Sequence, residues 1–328
     1  MTRRRLFLVA RGVTSIGLLV VLASVLEPRE VLGRLARMDP AWVVLALLLS
    51  IAQVVGSAWR WRFTAARLGL ELTMSRAVSE YYLATFLNQV LPGGVAGDVS
   101  RAWRHARESE ARASVQSVVF ERLSGLIVMS AVAAGSALLL LEDVSTGARV
   151  ALLALVLALI VWGVVAAQRA RAVPGSSRVV QDLRRALLEG TALPVQLTTS
   201  AAVVSTYIAV FVMAGQAIHL DTSPVLLAML AGPLLMSMLV PITIAGWGLR
   251  EVAAAALWSA AGLTAADGVA VSVSYGLLVL VSSLPGAVVL GLTLLRSEDP
   301  DRTAHPNPVG SAGPGDDVLH PESESRGA

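Results

Sequence analysis

The sequence contains no cysteine, which excludes disulfides and thiolate metal sites. Lysine is missing too: all 26 basic residues are arginine, a usage that with the Ala/Val/Leu/Gly bias points to a GC-rich bacterial source. Charge of either sign is scarce, at 15% of 328 residues, where a soluble domain carries about a quarter. The four histidines, His105, His219, His305 and His320, show no metal-ligand spacing. No H-E-x-x-H, G-x-S-x-G, D-x-D or Walker loop occurs. The chain is therefore expected to hold no metal or cofactor and to catalyse no reaction. Any transport it performs is expected to run without ATP.

What remains is apolar. Hydrophobic residues make up 55% of the chain and the mean hydropathy is +0.69. Six segments are long enough to cross a bilayer: about 6–26, 41–58, 113–141, 150–168, 197–219 and 267–295. Lipid offers backbone amides no partner, so these runs are read as helices. Two further stretches, 77–97 and 224–262, are apolar but broken by Pro and Gly. The fold class is an all-α polytopic membrane protein: six spans and two broken hairpins over 1–296. Arg3-Arg4-Arg5 before the first run resembles a signal peptide, but Arg11 interrupts it and no A-x-A site follows, so it reads as an uncleaved first helix. Residues 297–328, with seven acids against two arginines and little to bury, read as a disordered acidic tail.

Arginine placement sets the expected topology. The body preceding the tail carries +8, and its basic loops read as orientation signals, with no nucleic-acid surface implied. Arg3–Arg5 place the N-terminus in the cytoplasm, and two spans later Arg60, Arg62, Arg67 and Arg76 return there. Arg101, Arg104, Arg107 and Arg112 stay inside only if 77–97 enters the membrane and turns back. The same holds for Arg169, Arg171, Arg178, Arg184 and Arg185, while Glu142, Asp143 and Asp221 fall outside. Both termini are then cytoplasmic, and the setting is a bacterial inner membrane. In 176–190, Val179, Val180, Leu183, Leu187 and Leu188 share a face opposite Arg184 and Arg185. That pattern fits either an amphipathic helix on an anionic leaflet or a plain linker helix.

The two broken stretches resemble each other. Pro92-Gly93-Gly94-Val95-Ala96-Gly97-Asp98-Val99-Ser100-Arg101 and Pro241-Ile242-Thr243-Ile244-Ala245-Gly246-Trp247-Gly248-Leu249-Arg250 share P-x-x-[VI]-A-G-x-x-x-R at an offset of 149. That offset also lays the spans of one half near those of the other. The predicted halves, about 1–145 and 146–296, are each span, span, broken hairpin, span, and three crossings between them invert the second. Inverted repeats with discontinuous helices are a transporter signature, with the site where the repeats face each other.

The candidate site follows from the breaks. Gly93, Gly94, Gly97, Gly246 and Gly248 let backbone amides face a ligand, and Pro92 and Pro241 free carbonyls. A half-helix N-terminus and an arginine one turn on, Arg101 or Arg250, favour an anion such as a lipid phosphate. Glu121-Arg122, about eight residues into the third span, neutralise each other or hold a hairpin arginine. Asn88 and Gln89 line the site or satisfy freed carbonyls. Arg250 is followed by Glu251 within an apolar stretch. Glu80, Tyr81 and Tyr82 have interfacial character.

Three segments, Asn88–Asp98, Phe120-Glu121-Arg122-Leu123 and Pro241–Glu251, together resemble the flippase-like membrane region of lysylphosphatidylglycerol synthases over about 1–296. The resemblance implies a lipid flippase fold with Asp98, Arg101, Glu121, Arg122, Arg250 and Glu251 at matching positions. It implies membrane lipids with anionic or zwitterionic headgroups as ligands, and a lipid-modifying enzyme as a possible partner. No aminoacyl-transferase domain is read in this sequence, so lipid synthesis is not implied. Tyr275-Gly276 stands where the family usually has a basic residue in the last span. The rival readings are an integral-membrane transferase with Asp98, Glu121 or Glu251 as base, and a non-transporting scaffold.

Overall fold

A computed structural model describes residues 17, 28–91, 94–106, 109–140, 147, 150, 178–238, 243 and 245–297. Every regular element among them is a helix: α1 Pro28–Leu35, α2 Pro40–Arg67, α3 Met74–Val90, α4 Ala96–Ala106, α5 Ala111–Leu140, α6 Arg178–Leu187, α7 Ala192–Ala217, α8 Pro224–Ser237, α9 Leu249–Ala260, α10 Ala265–Ser283 and α11 Pro285–Ser297. Four spans by length and composition cross a bilayer: Pro40–Arg67, Ala111–Leu140, Ala192–Ala217 and Ala265–Leu295. They correspond to four of the six expected segments. The segments 6–26 and 150–168, and the tail after 297, lie outside the described residues. The protein is thus a multi-pass membrane protein.

Local chemistry marks the ends. Asp39 caps α2, its Oδ1 accepting from the Ala41 amide at 2.8 Å with Pro40 at the first position. Ser223 and Pro224 repeat the arrangement at α8, where Ser223 Oγ accepts from the Leu226 amide at 3.2 Å. The last span is interrupted at Leu284, ahead of Pro285, whose ring cannot continue the helical hydrogen bonding.

Two apolar cores organise the packing. One joins Trp61, Tyr81, Ala102, Ala113 and Val118 from α2 to α5. The other joins Phe211, Leu227, Leu234, Trp258 and Tyr275 from α7 to α10. The Phe211 ring meets Trp258 at 6.2 Å and Tyr275 at 5.6 Å. Outside these cores the long helices expose Val and Leu, as helices facing lipid do.

Both broken stretches are helix, break, helix. α3 and α4 run antiparallel: Asn88 meets Gly97, and Glu80 pairs with Arg104 at 3.0 Å. A Cβ on Gly97 would lie 1.9 Å from the Ala84 carbonyl oxygen, so only glycine permits this approach. Glu80 and Tyr81, read as interfacial, are buried here, because the hairpin turns that face of α3 toward α4 and α5. α6 also differs in part from a helix lying on a leaflet. Its end, Ala186 to Leu188, is buried with Phe120, while Val179 and Val180 remain exposed. Arg112 pairs with Asp182 at 2.6 Å and helps hold it. The chain divides into the units Met1–Gly291 and Leu292–Ala328, and all of the site described next belongs to the first.

Candidate functional site: two buried arginines at repeat-related positions

α2 to α5 converge on a charged cluster. Glu121, fully buried on α5, accepts at Oε1 from Arg60 Nε at 3.2 Å and from Arg60 Nη2. Tyr81 OH donates to the same oxygen at 3.4 Å. Its Oε2 accepts from Arg101 Nη2 at 3.1 Å. Arg60 is completed by Ser200 Oγ on α7, at 3.0 Å from Nη1. A carboxylate with no exposure at membrane depth is costly alone, and three donors explain how it persists.

Arg101, 1% exposed, lies between aromatic faces, with its guanidinium carbon 4.4 Å from the Trp61 ring centroid and 4.5 Å from that of Tyr81. Its Nη2 also donates to Asp98 Oδ1 at 3.1 Å. Its Nε and Nη1 are buried and have no hydrogen-bond partner among the described residues. Asp98 Oδ1 accepts again from Arg122 Nη2 at 2.8 Å, and Asn88 Nδ2 donates to Asp98 Oδ2 at 3.3 Å. Asn88 Oδ1 meanwhile accepts from the Gly97 amide at 2.8 Å, tying the α3 end to the α4 start.

A second, smaller cluster centres on Arg250. Its Nε and Nη2 donate to Glu251 Oε1 at 3.1 and 2.7 Å, and Nε also donates to Ser272 Oγ at 2.9 Å. The other carboxylate oxygen accepts the Gly248 amide at 2.6 Å, so Glu251 also fixes the α9 N-terminus. Gly246 and Gly248 take φ of +80° and +89°, which carry the chain sharply into that helix. The Arg250 guanidinium stands 4.9 Å from the Trp247 ring and 5.7 Å from the Tyr275 ring. A Cβ on Gly276 would lie 2.2 Å from Arg250 Nη2, so the missing side chain is the space the arginine fills.

Residues 8–286 match the family described as the lysylphosphatidylglycerol synthase TM region. The chain belongs to that family. No curated protein matches it. The family connects the chain with membrane lipids.

The structure places the candidate site residues as follows. Glu121 does not pair with its neighbour: it takes Arg60 and Arg101, while Arg122 points to Asp98, since adjacent residues on a helix face different ways. Arg101 is no surface arginine, because Trp61, Tyr81 and Glu121 enclose it. Asn88 accepts from the Gly97 amide and donates to Asp98. Gly94, in the break, has φ +63° and is exposed; Gln89 is half-buried near it. Pro92, Gly93 and Pro241 lie outside the described residues.

Arg60 was expected in a cytoplasmic loop and is instead a buried member of the cluster. The sequence held a signal: an unmatched Glu121 in one span needs a cation, and Arg60 continues the helix of another between Trp59 and Trp61. Tyr207 was also missed. Half-buried on α7, it packs against the core that holds Phe211, Trp258 and Tyr275.

Proposed function

We propose that the protein is a lipid translocator that receives a phosphate-bearing headgroup at the Arg101 and Arg250 clusters and passes it across the membrane while the acyl chains stay in lipid. The observation that carries this reading is the pairing of two arginines, 149 residues apart, in one chemical setting. Each is 1% exposed, is flanked by two aromatic rings, and is balanced by a buried carboxylate. Planar guanidinium groups held this way suit a bidentate grip on two oxygens of a phosphate. Arg101 keeps two donors unused, and these are what a ligand would fill.

In this reading each broken hairpin is re-entrant, the spans number six, and the two halves are inverted repeats in a bacterial inner membrane with both termini cytoplasmic. Two arginines then approach a headgroup from opposite sides. The clusters differ in net charge. Three arginines face two carboxylates around Arg101, and one faces one around Arg250. An anion is thus held at the first cluster and handed on at the second.

Glu121 and Glu251, two of the three candidate bases, favour translocation over transfer chemistry. Glu121 and Glu251 spend their oxygens on arginine, tyrosine, serine and amide donors, the role of a counter-ion. A general base needs a lone pair free for the proton that it removes. Mass spectrometry of lipid retained by the purified full chain tests the reading. A phospholipid class enriched over the host membrane, and lost in Arg101→Ala, supports it; unselective lipid in both proteins contradicts it.

A further inference from the structure

Asp98 occupies an unusual place in the first cluster. One oxygen, Oδ1, sits between two guanidinium groups, Nη2 of Arg101 at 3.1 Å and Nη2 of Arg122 at 2.8 Å. That is the position an anionic oxygen of a ligand would take. Among the described residues the other oxygen is held only by Asn88, at 3.3 Å. Burial is graded across the cluster: the side chains of Glu121 and Arg101 are 0% and 1% exposed, Asp98 12% and Arg122 42%. The deeply buried pair lies inside and the replaceable, more exposed pair at the rim.

The rim opens onto apolar surface. On α5, Val115, Val119, Arg122 and Leu126 follow steps of four, three and four, one stripe of the helix, and all four are exposed. Val95, just ahead of α4, and Val99 and Trp103 on it recur every four residues and are exposed as well. The Asp98–Arg122 pair bridges the two helices, so Arg122 is the one charge in two stripes otherwise fit for acyl chains. Three arginines against two carboxylates leave one positive charge, which a phosphodiester monoanion neutralises and a phosphomonoester dianion overshoots.

We infer that Asp98 is an internal stand-in for the ligand: a phosphodiester lipid arriving sideways along the α4 and α5 stripes displaces the Asp98 carboxylate from Arg122 and seats its phosphate between Arg122 and Arg101. This rests on the proposed headgroup site and adds its access route, its charge class and a built-in competitor. Asp98 then sets the affinity with a sign opposite to its neighbours. Neutralising it strengthens binding, whereas removing Arg101 or Arg122 weakens it. A competitor of this kind also prevents the site from holding lipid too tightly to release it.

The test is titration of the purified full chain, in a neutral maltoside detergent, with dihexanoyl phosphatidylglycerol. Deacylated glycerophosphoglycerol and dihexanoyl phosphatidic acid are run beside it. Asp98→Asn is expected to bind the short-chain phosphatidylglycerol at least threefold tighter than wild type, and Arg122→Gln at least threefold weaker. The double variant should gain less from the asparagine than Asp98→Asn gains over wild type, because Asp98 then competes for Arg101 alone. Asp98→Ser provides a second neutral side chain should the asparagine variant unfold. The deacylated compound should bind at least tenfold more weakly, and phosphatidic acid more weakly than phosphatidylglycerol. Unchanged or weaker binding in both Asp98 variants, with Arg101→Ala and Arg122→Gln still damaging, overturns the stand-in and leaves the headgroup site intact. Equal binding of the deacylated compound overturns the lateral route and identifies a free phosphate site. No binding by any protein defeats both the stand-in and the site.

Discussion

Glu121→Gln should destabilise the protein more than any other single charge neutralisation in the chain. The substitution preserves shape and leaves one amide oxygen able to accept, but removes the charge that Arg60 and Arg101 share. Both arginines are nearly fully buried, so neither recovers water. Breaking a buried pair by removing one partner costs about 3–5 kcal/mol. At roughly 2–4 °C per kcal/mol for domains of 150–250 residues, the apparent melting temperature in detergent should fall by on the order of 10 °C. Arg60→Gln/Glu121→Gln replaces the ion pair by a neutral hydrogen-bonded pair and should recover most of the loss, a coupling of about 1–3 kcal/mol. Arg122→Gln is the contrast: its partly exposed pair with Asp98 contributes about 1 kcal/mol or less. Melting of Glu121→Gln within 2 °C of wild type, or a double variant no better than the two losses combined, would refute Glu121 as the buried counter-ion.

Other outcomes follow from the geometry. Gly97→Val must push α4 off α3, because its Cβ alone would lie 1.9 Å from the Ala84 oxygen, so folded yield should collapse. Gly276→Ala should displace Arg250 while α10 stays helical, lowering lipid transport far more than thermal stability. Single cysteines at Arg104 and Arg184 should resist an impermeant thiol reagent in intact cells while one at Asp221 reacts; outside labelling at 104 would reject the re-entrant hairpin. Deleting 299–328 should leave membrane insertion and melting unchanged.

The long elements were legible because a bilayer imposes a length and composition that need no tertiary knowledge. The third expected span, 113–141, is α5 at Ala111–Leu140, and the fifth, 197–219, lies in α7. The second was drawn too short. Hydropathy ends near Gly56, yet α2 runs to Arg67, because Arg60, Trp61 and Thr64 are buried against α5 and α7 and face no water. Charge counts as a loop signal only when it is solvated, and a sequence does not reveal solvation. For the same reason the position of Glu121 was readable but its partners were not. Adjacent Glu121 and Arg122 leave two readings open, a self-neutralising pair or a hold on a hairpin arginine; helix geometry sends Glu121 inward to Arg101 and Arg122 outward to Asp98. Gly276 shows the converse: an apparent gap in the family pattern is the space into which Arg250 fits.

The central claim is that the two arginines handle one headgroup in transit. Its direct measurement is movement of headgroup-tailed fluorescent phosphatidylglycerol across proteoliposomes, read by a membrane-impermeant quencher. The wild-type chain is compared with Arg101→Ala and Arg250→Ala at equal folded incorporation. The account predicts movement above protein-free vesicles for wild type and a several-fold or greater loss in each variant, since a charge-assisted hydrogen bond contributes about 1.5–3 kcal/mol. Lysine at either position should restore only part of the rate, because a point charge replaces a planar fork. Wild-type movement that both alanine variants leave unchanged would contradict the account.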